Sequence, residues 1–120
     1  MKENLKDYII RNKVIVNTEL LNGKYAITVG DSNTIYKREE LAKIADTLLN
    51  FNGFLASFVI GNREDNGIGI SARSEGKVNV GKITEKLGGG GDNFNAASFF
   101  QYSNLEEVKR ELIKVLNEEE

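Results

Sequence analysis

At 120 residues, with 40% apolar and 28% charged side chains, the chain has the size and balance of a single globular domain around one core. Sixteen basic residues stand against 18 acidic ones, and the formal net charge of -2 excludes capture of a polyanion by an overall field, so any such ligand has to be held by a local set of donors. The absence of cysteine excludes disulfides and thiolate metal sites, and the absence of histidine removes the commonest acid/base at neutral pH and the commonest nitrogen ligand for metals.

The charged start, Met1 to Asp7, reads as neither leader nor anchor, and the longest apolar stretch, Phe54 to Ile60, is too short to span a bilayer. A cytoplasmic chain without membrane contact is the expectation. Leu5, Tyr8 and Ile9 recur at helical spacing, and the β-branched run Val14-Ile15-Val16 reads as a strand after that helix. Asn22-Gly23 before Tyr25 to Val29 marks a hairpin, which makes the first two strands antiparallel. Leu41, Ile44, Ala45, Leu48 and Leu49 form one apolar helix face, stopped at Asn52-Gly53.

Phe54 to Ile60 is apolar almost without alternation, as a strand covered on both faces at the centre of a sheet should be. After the polar turn Gly61 to Gly67, Ile68, Ile70 and Ala72 alternate with Gly69, Ser71 and Arg73, so one face packs while the other carries Ser71 and Arg73. Asn79 can cap a helix bearing Val80, Ile83 and Leu87, which Gly88 to Gly91 end abruptly, and Asp92 or Asn93 is expected to cap a new short helix. Phe99 to Tyr102 reads as an edge strand, and Leu105, Val108, Leu112, Val115 and Leu116 as a last amphipathic helix. The sum is an α/β fold: residues 1–120 as a single small domain, a central mixed sheet of about five strands flanked by helices.

Two constellations can carry chemistry. Gly88, Gly89, Gly90 and Gly91 put bare backbone directly before the expected helix start, where free N–H groups and the helix dipole suit a phosphate; the alternative is a flexible turn between helices. Arg73, flanked by Ser71 and Ser74, has the side chain best shaped for a bidentate phosphate contact; the alternative is a pair with a surface carboxylate. Glu64-Asp65-Asn66 matches no calcium loop and reads as a polar turn, and the paired glutamates at 39–40 and 106–107 read as first-turn dipole partners.

Ala45-Asp46, Ala56 to Ile60, Ile70-Ser71-Ala72-Arg73-Ser74, Asn79-Val80 and Leu87 to Gly91, in this order, together resemble the C-terminal DHH-associated domain of the GdpP-type cyclic-di-AMP phosphodiesterases. The resemblance implies a two-domain body closing on a nucleotide. Manganese belongs to an N-terminal DHH domain, which is absent from this sequence and would act in cis or in trans, and this chain would supply the half that grips phosphate and nucleobase.

Carried over by position, Arg73 resembles the phosphate-contacting arginine, Gly88 to Gly91 the backbone phosphate loop, and Ala96-Ala97 the start of a helix behind it, with Ser71, Ser74 and Asn95 beside the ligand. Asp92 departs from the pattern, which has a histidine there; a carboxylate can only accept or repel, or serve as a helix cap. The expected role is therefore a clamp on the phosphate of a cyclic or linear dinucleotide, without cofactor or hydrolytic activity of its own. Two rivals are a degenerate interaction or homodimerisation module and a single-stranded nucleic-acid binder, the latter disfavoured by the acidic balance.

Overall fold

A computed structural model describes residues 2–64 and 66–119, leaving Asp65 of the polar turn outside the described residues. The chain begins with α1 (Leu5–Ile15), the hairpin β1 (Glu19–Leu21) and β2 (Tyr25–Val29), then α2 (Arg38–Leu48) and the long strands β3 (Ala56–Asn62) and β4 (Gly67–Ser74). It continues through α3 (Val80–Glu85), β5 (Gly90–Gly91), β6 (Asn95–Gln101) and α4 (Leu105–Glu118). The six strands form one mixed sheet in the order β1-β2-β3-β4-β6-β5, parallel only between β2 and β3, where α2 makes the crossover. The mixed sheet agrees with the expectation, with one strand more than about five.

Two apolar layers sandwich it. On one face α1 and α2 close over Ala26 and Val59 with Val14, Leu41, Ile44, Ala45 and Leu48. On the other, Val80 and Ile83 of α3 and Val108, Leu112 and Leu116 of α4 cover Phe58, Ile60, Ile70 and Ala72. The unalternating apolar run in β3 follows, since its side chains meet helices on both faces. The hairpin also stands where Asn22-Gly23 placed it: Asn22 (φ 54°) and Gly23 (φ 72°) both adopt the left-handed conformation within the three-residue connection that joins Leu21 to its partner Tyr25.

Three expectations need correction. Val14 and Ile15 belong to α1 and not to a strand, because Ile10 and Val14 continue the helical spacing into the core and this packing outweighs their β-branched preference. Leu5, Tyr8 and Ile9, the residues that revealed this helix, lie on its exposed side. No helix follows the glycines: Asn95 to Gln101 pair with β4 along their whole length, burying Ala96 and Ser98, so Ala96-Ala97 start no helix and Asp92 caps none.

The Asn79 cap is present, its side-chain oxygen accepting from the Lys82 amide at 3.1 Å. Since α3 is only six residues long and delivers the glycine loop, Asn79→Ala is expected to lower unfolding free energy by about 1 kcal/mol, measurable by urea denaturation.

Candidate functional site

The α2 helix packs on β3 and β4, and α3 supports β5 and β6 from the opposite face. On the α2 side, the registers Gly69↔Phe99, Ser71↔Ala97 and Arg73↔Asn95 set side by side the residues that point away from α3 and α4. Glycine, serine and alanine are too small to fill the space beside α2, and the bare sheet becomes the floor of a groove. Two cavities lie in it, of about 330 Å³ and about 160 Å³, sharing Arg38, Ser71 and Ala97 in their linings. The glycine loop forms one wall, with Gly88 and Gly89 at the larger cavity and Gly90 and Gly91 at the smaller.

Much of the glycine content answers to the fold itself. Gly88 (φ 80°) terminates α3, and the Gly89 amide donates to the Thr84 carbonyl at 2.8 Å. A Cβ on Gly89 would collide with the Ala97 carbonyl and one on Gly91 with the Asn95 carbonyl, whereas a Cβ on Gly90 would meet nothing within 4 Å. What comes close to the bare backbone at Gly89 and Gly91 is thus β6. Gly88 and Gly90 have open space where a Cβ would stand, and of the two only Gly90 lacks the positive φ that calls for glycine.

Arg73 lines the smaller cavity with Asn95. Its Nε donates to Asp46 Oδ1 at 2.9 Å and its Nη1 to the Ala72 carbonyl at 2.9 Å, so the guanidinium is fixed from α2 and from its own strand. Ser71, 4% exposed, lines both cavities. The other buried serines are all engaged: Ser57 donates to Ala45, Ser98 donates to Leu87, and Ser74 accepts from the Gly76 amide. Ser71 has no hydrogen-bond partner among the described residues, and since no buried side-chain polar atom is unsatisfied, its hydroxyl opens on the groove. Ser74 ties the following loop instead and lines neither cavity.

Asp92 sits just outside the groove wall, its carboxylate accepting from the Phe94 and Asn95 amides, both at 2.8 Å. The Asn95 amide, then the Phe94 amide, hold its pKa below the ordinary carboxylate value against partial desolvation, and the nearby Arg73 charge adds to this. A lowered folded-state pKa means that the turn's stabilisation is fully present above the ordinary carboxylate value and fades as pH falls through the lowered one. The Phe94 and Asn95 amide resonances are expected to stay fixed down to that acid range and move only within it, as an NMR pH titration would show.

Two groove residues escaped the sequence reading. Arg38 opens α2 at the mouth of both cavities, and its spacing of i, i+3 and i+4 to Leu41 and Ala42, which share those linings, was the available signal. Arg63, at the end of β3, lays its stem along Gly69 and donates from Nη1 to the Tyr36 carbonyl at 3.2 Å. Neither arginine has an ion-pair partner among the described residues. The groove therefore brings together three guanidinium groups, that of Arg73 paired with Asp46, and the free Ser71 hydroxyl. Among the described residues no three carboxylates come together as a metal ion would need, and no helix is long and apolar enough to cross a membrane.

The family model described as the DHHA1 domain matches residues 22–118. The cyclic-di-AMP phosphodiesterase GdpP of Geobacillus thermodenitrificans is 39% identical over 118 residues, covering 98% of this chain and 18% of that protein. The cyclic-di-AMP phosphodiesterase PdeA of Listeria monocytogenes is 38% identical over 117 residues, with the same 98% and 18% coverage. The chain thus spans less than a fifth of the length of these curated relatives. Among solved structures, an exopolyphosphatase-related protein from Bacteroides fragilis superposes with a TM-score of 0.81 at 16% identity, covering 98% of this chain and 36% of that one. A pGpG-specific phosphodiesterase, PggH, from Vibrio superposes at 0.67 and 14% identity, covering 97% and 41%. At such identities these two likenesses speak for the fold alone.

Proposed function

The chain belongs to the DHHA1 domain family, and from that membership we propose that it binds the phosphate of a cyclic or linear dinucleotide for hydrolysis by a separate, metal-bearing DHH domain in the same or a partner chain. The observation that supports this reading best is the convergence of two distant segments. Gly90 and Gly91 line the smaller cavity together with Ser71 and Arg73, which lie two strands away across β6, and with Arg38 from α2. Arg73 and Arg38 supply charged donors there, and a phosphate would accept from them and from the Ser71 hydroxyl.

Clamping would act by position and charge. Guanidinium groups fixed before the ligand arrives would offset the negative charge on the phosphate and hold its bond to the leaving oxygen in one orientation, and a metal held by the separate domain would supply the activation of water. In Cα register Arg73 stands at the end of the groove and Ser71 at its middle, so the pair would grip two oxygens of one phosphate or of successive phosphates.

One observation favours the rival, a ligand-free interaction module: Asp46 and Asp92 place two carboxylates around Arg73, and both would oppose an anion. Calorimetric titration of the 120-residue chain with cyclic-di-AMP and with its linear dinucleotide separates the two. Saturable binding that weakens as salt rises is expected; heat-silent titrations with both ligands would refute the clamp. Asp92→Asn keeps the oxygen that accepts from Phe94 and Asn95 and removes the charge. It is expected to raise affinity roughly twofold to fivefold at low salt, with little change in thermal stability.

A further inference from the structure

Asparagine followed by glycine is a reactive pair, and the sequence holds three of them, Asn22-Gly23, Asn52-Gly53 and Asn66-Gly67. With no side chain on the second residue, its amide nitrogen can approach the asparagine Cγ, which makes such asparagines thermolabile. The attack needs that nitrogen on the side chain's side of the Cα–C bond, released from other bonds, with room for a five-membered ring. The fold treats the three pairs differently.

Asn22 and Asn66 both adopt the left-handed conformation, with φ of 54° and 58°. There the following nitrogen stands across the Cα–C bond from Cβ, and the ring cannot close without a backbone rotation. Other bonds oppose that rotation. The Asn22 Nδ2, which would have to leave, donates to Asn117 Oδ1 at 2.9 Å, and the Lys24 amide closes the turn on the Leu21 carbonyl at 3.2 Å. The Gly67 amide, the nucleophile of the third pair, already donates to the Glu64 carbonyl at 3.2 Å, and Gly67 is buried at the start of β4.

Asn52 has neither restraint. It is exposed, lies outside the left-handed region, and sits in the connection between α2 and β3, whose backbone amides bond at Phe51 and next at Leu55. Among the described residues neither its side chain nor the Gly53 amide has a hydrogen-bond partner, and a Cβ on Gly53 would meet nothing within 4 Å.

We infer that Asn52 is a site of spontaneous covalent modification, its side-chain amide lost through a cyclic imide to leave aspartate and isoaspartate. A base takes the Gly53 N–H proton, the nitrogen bonds to Asn52 Cγ, and the Cγ–Nδ2 bond breaks, the proton leaving with the ammonia. Water then opens the ring. Cleavage of the new Cγ–N bond gives aspartate, and cleavage of the original C–N bond carries the main chain through Cβ as isoaspartate. Either product puts a carboxylate just beyond the negative end of α2, whose last turn has no basic residue to offset it. The inference is independent of any ligand in the groove.

Incubation of the 120-residue chain at mildly alkaline pH and physiological temperature, followed by digestion in mild acid and mass spectrometry of each Asn-Gly peptide, tests the site. The products carry a mass gain of about one dalton, and isoaspartate is told from aspartate by its backbone fragmentation. In the folded chain Asn52 is expected to convert at least about tenfold faster than Asn22 and Asn66, which must first leave their turns. In concentrated urea the three rates should converge to within a few-fold. Asn52→Ser should abolish the early release of ammonia from the folded chain. Conversion of Asn22 or Asn66 as fast as Asn52 in the folded chain would overturn the inference, as would an Asn52 that stays intact when folded and converts only in urea.

Discussion

Gly89→Ala is expected to lower the unfolding free energy by about 2 to 3 kcal/mol, whereas Gly90→Ala, one residue on, should change it by less than about 0.5 kcal/mol. At Gly89 the added methyl would strike the Ala97 carbonyl and crowd the Ser98 Cα, both of them backbone atoms. They cannot yield cheaply: Ala97 is held in register by Ser71 on one side and Gly90 on the other, and the Ser98 hydroxyl is tied to the Leu87 carbonyl at 2.6 Å. At Gly90 the methyl enters open groove. The same methyl occupies the space proposed for phosphate, so Gly90→Ala should weaken cyclic-di-AMP binding several-fold in a chain of native stability. Urea denaturation and calorimetry on the two variants separate the roles. A Gly90→Ala chain that binds as tightly as the native one would remove the loop from the ligand's path.

That pair explains why the glycine run could be read as a place of close approach and not as a strand. Four consecutive glycines announce close approach, but sequence does not say of what, and here β6 claims Gly89 and Gly91. The expected helix after Asp92 failed for a related reason. Alanines 96 and 97 favour a helix intrinsically, and only the long-range pairing of Ala96 with Ala72 and of Ala97 with Ser71 makes them strand. The α2 helix and β3 carried local signals strong enough to be read directly, as did the alternation that put Ser71 and Arg73 on one face. The family read from spaced motifs is the one whose model matches residues 22–118. Arg38 and Arg63 stayed hidden because helical spacing puts Arg38 on the side of α2 that carries Leu41 and Ala42 without saying what that side meets, and Arg63 enters the groove only through the pairing of β3 with β4.

Arg73→Ala is expected to weaken binding of cyclic-di-AMP by roughly tenfold to a hundredfold, the ~1.5 to 3 kcal/mol that a hydrogen bond to a charged group contributes. The contrary reading, an arginine present only to pair with a carboxylate, is unusually well posed here, because Asp46 does hold its Nε. The two readings diverge on the partner. Asp46 is 63% exposed, and an ion pair of that exposure contributes between nothing and about 1 kcal/mol to stability. If Arg73 served only that pair, Arg73→Ala and Asp46→Ala would have the same small effect on unfolding and none on binding. If the pair instead fixes the guanidinium for a ligand, Arg73→Ala gives that loss of affinity, while Asp46→Ala removes a competing anion and costs only orientation, leaving affinity within a few-fold of native. Arg73→Lys should not restore binding, since an ammonium cannot keep a bond to Asp46 and to Ala72 while forking onto a phosphate. The salt dependence gives an independent readout: with one cation fewer facing the phosphate, the fall of affinity with salt should be shallower in Arg73→Ala than in the native chain. Equal affinity and equal salt slope in the two chains would assign Arg73 to the sheet edge and leave Arg38 as the arginine able to reach a phosphate in the smaller cavity.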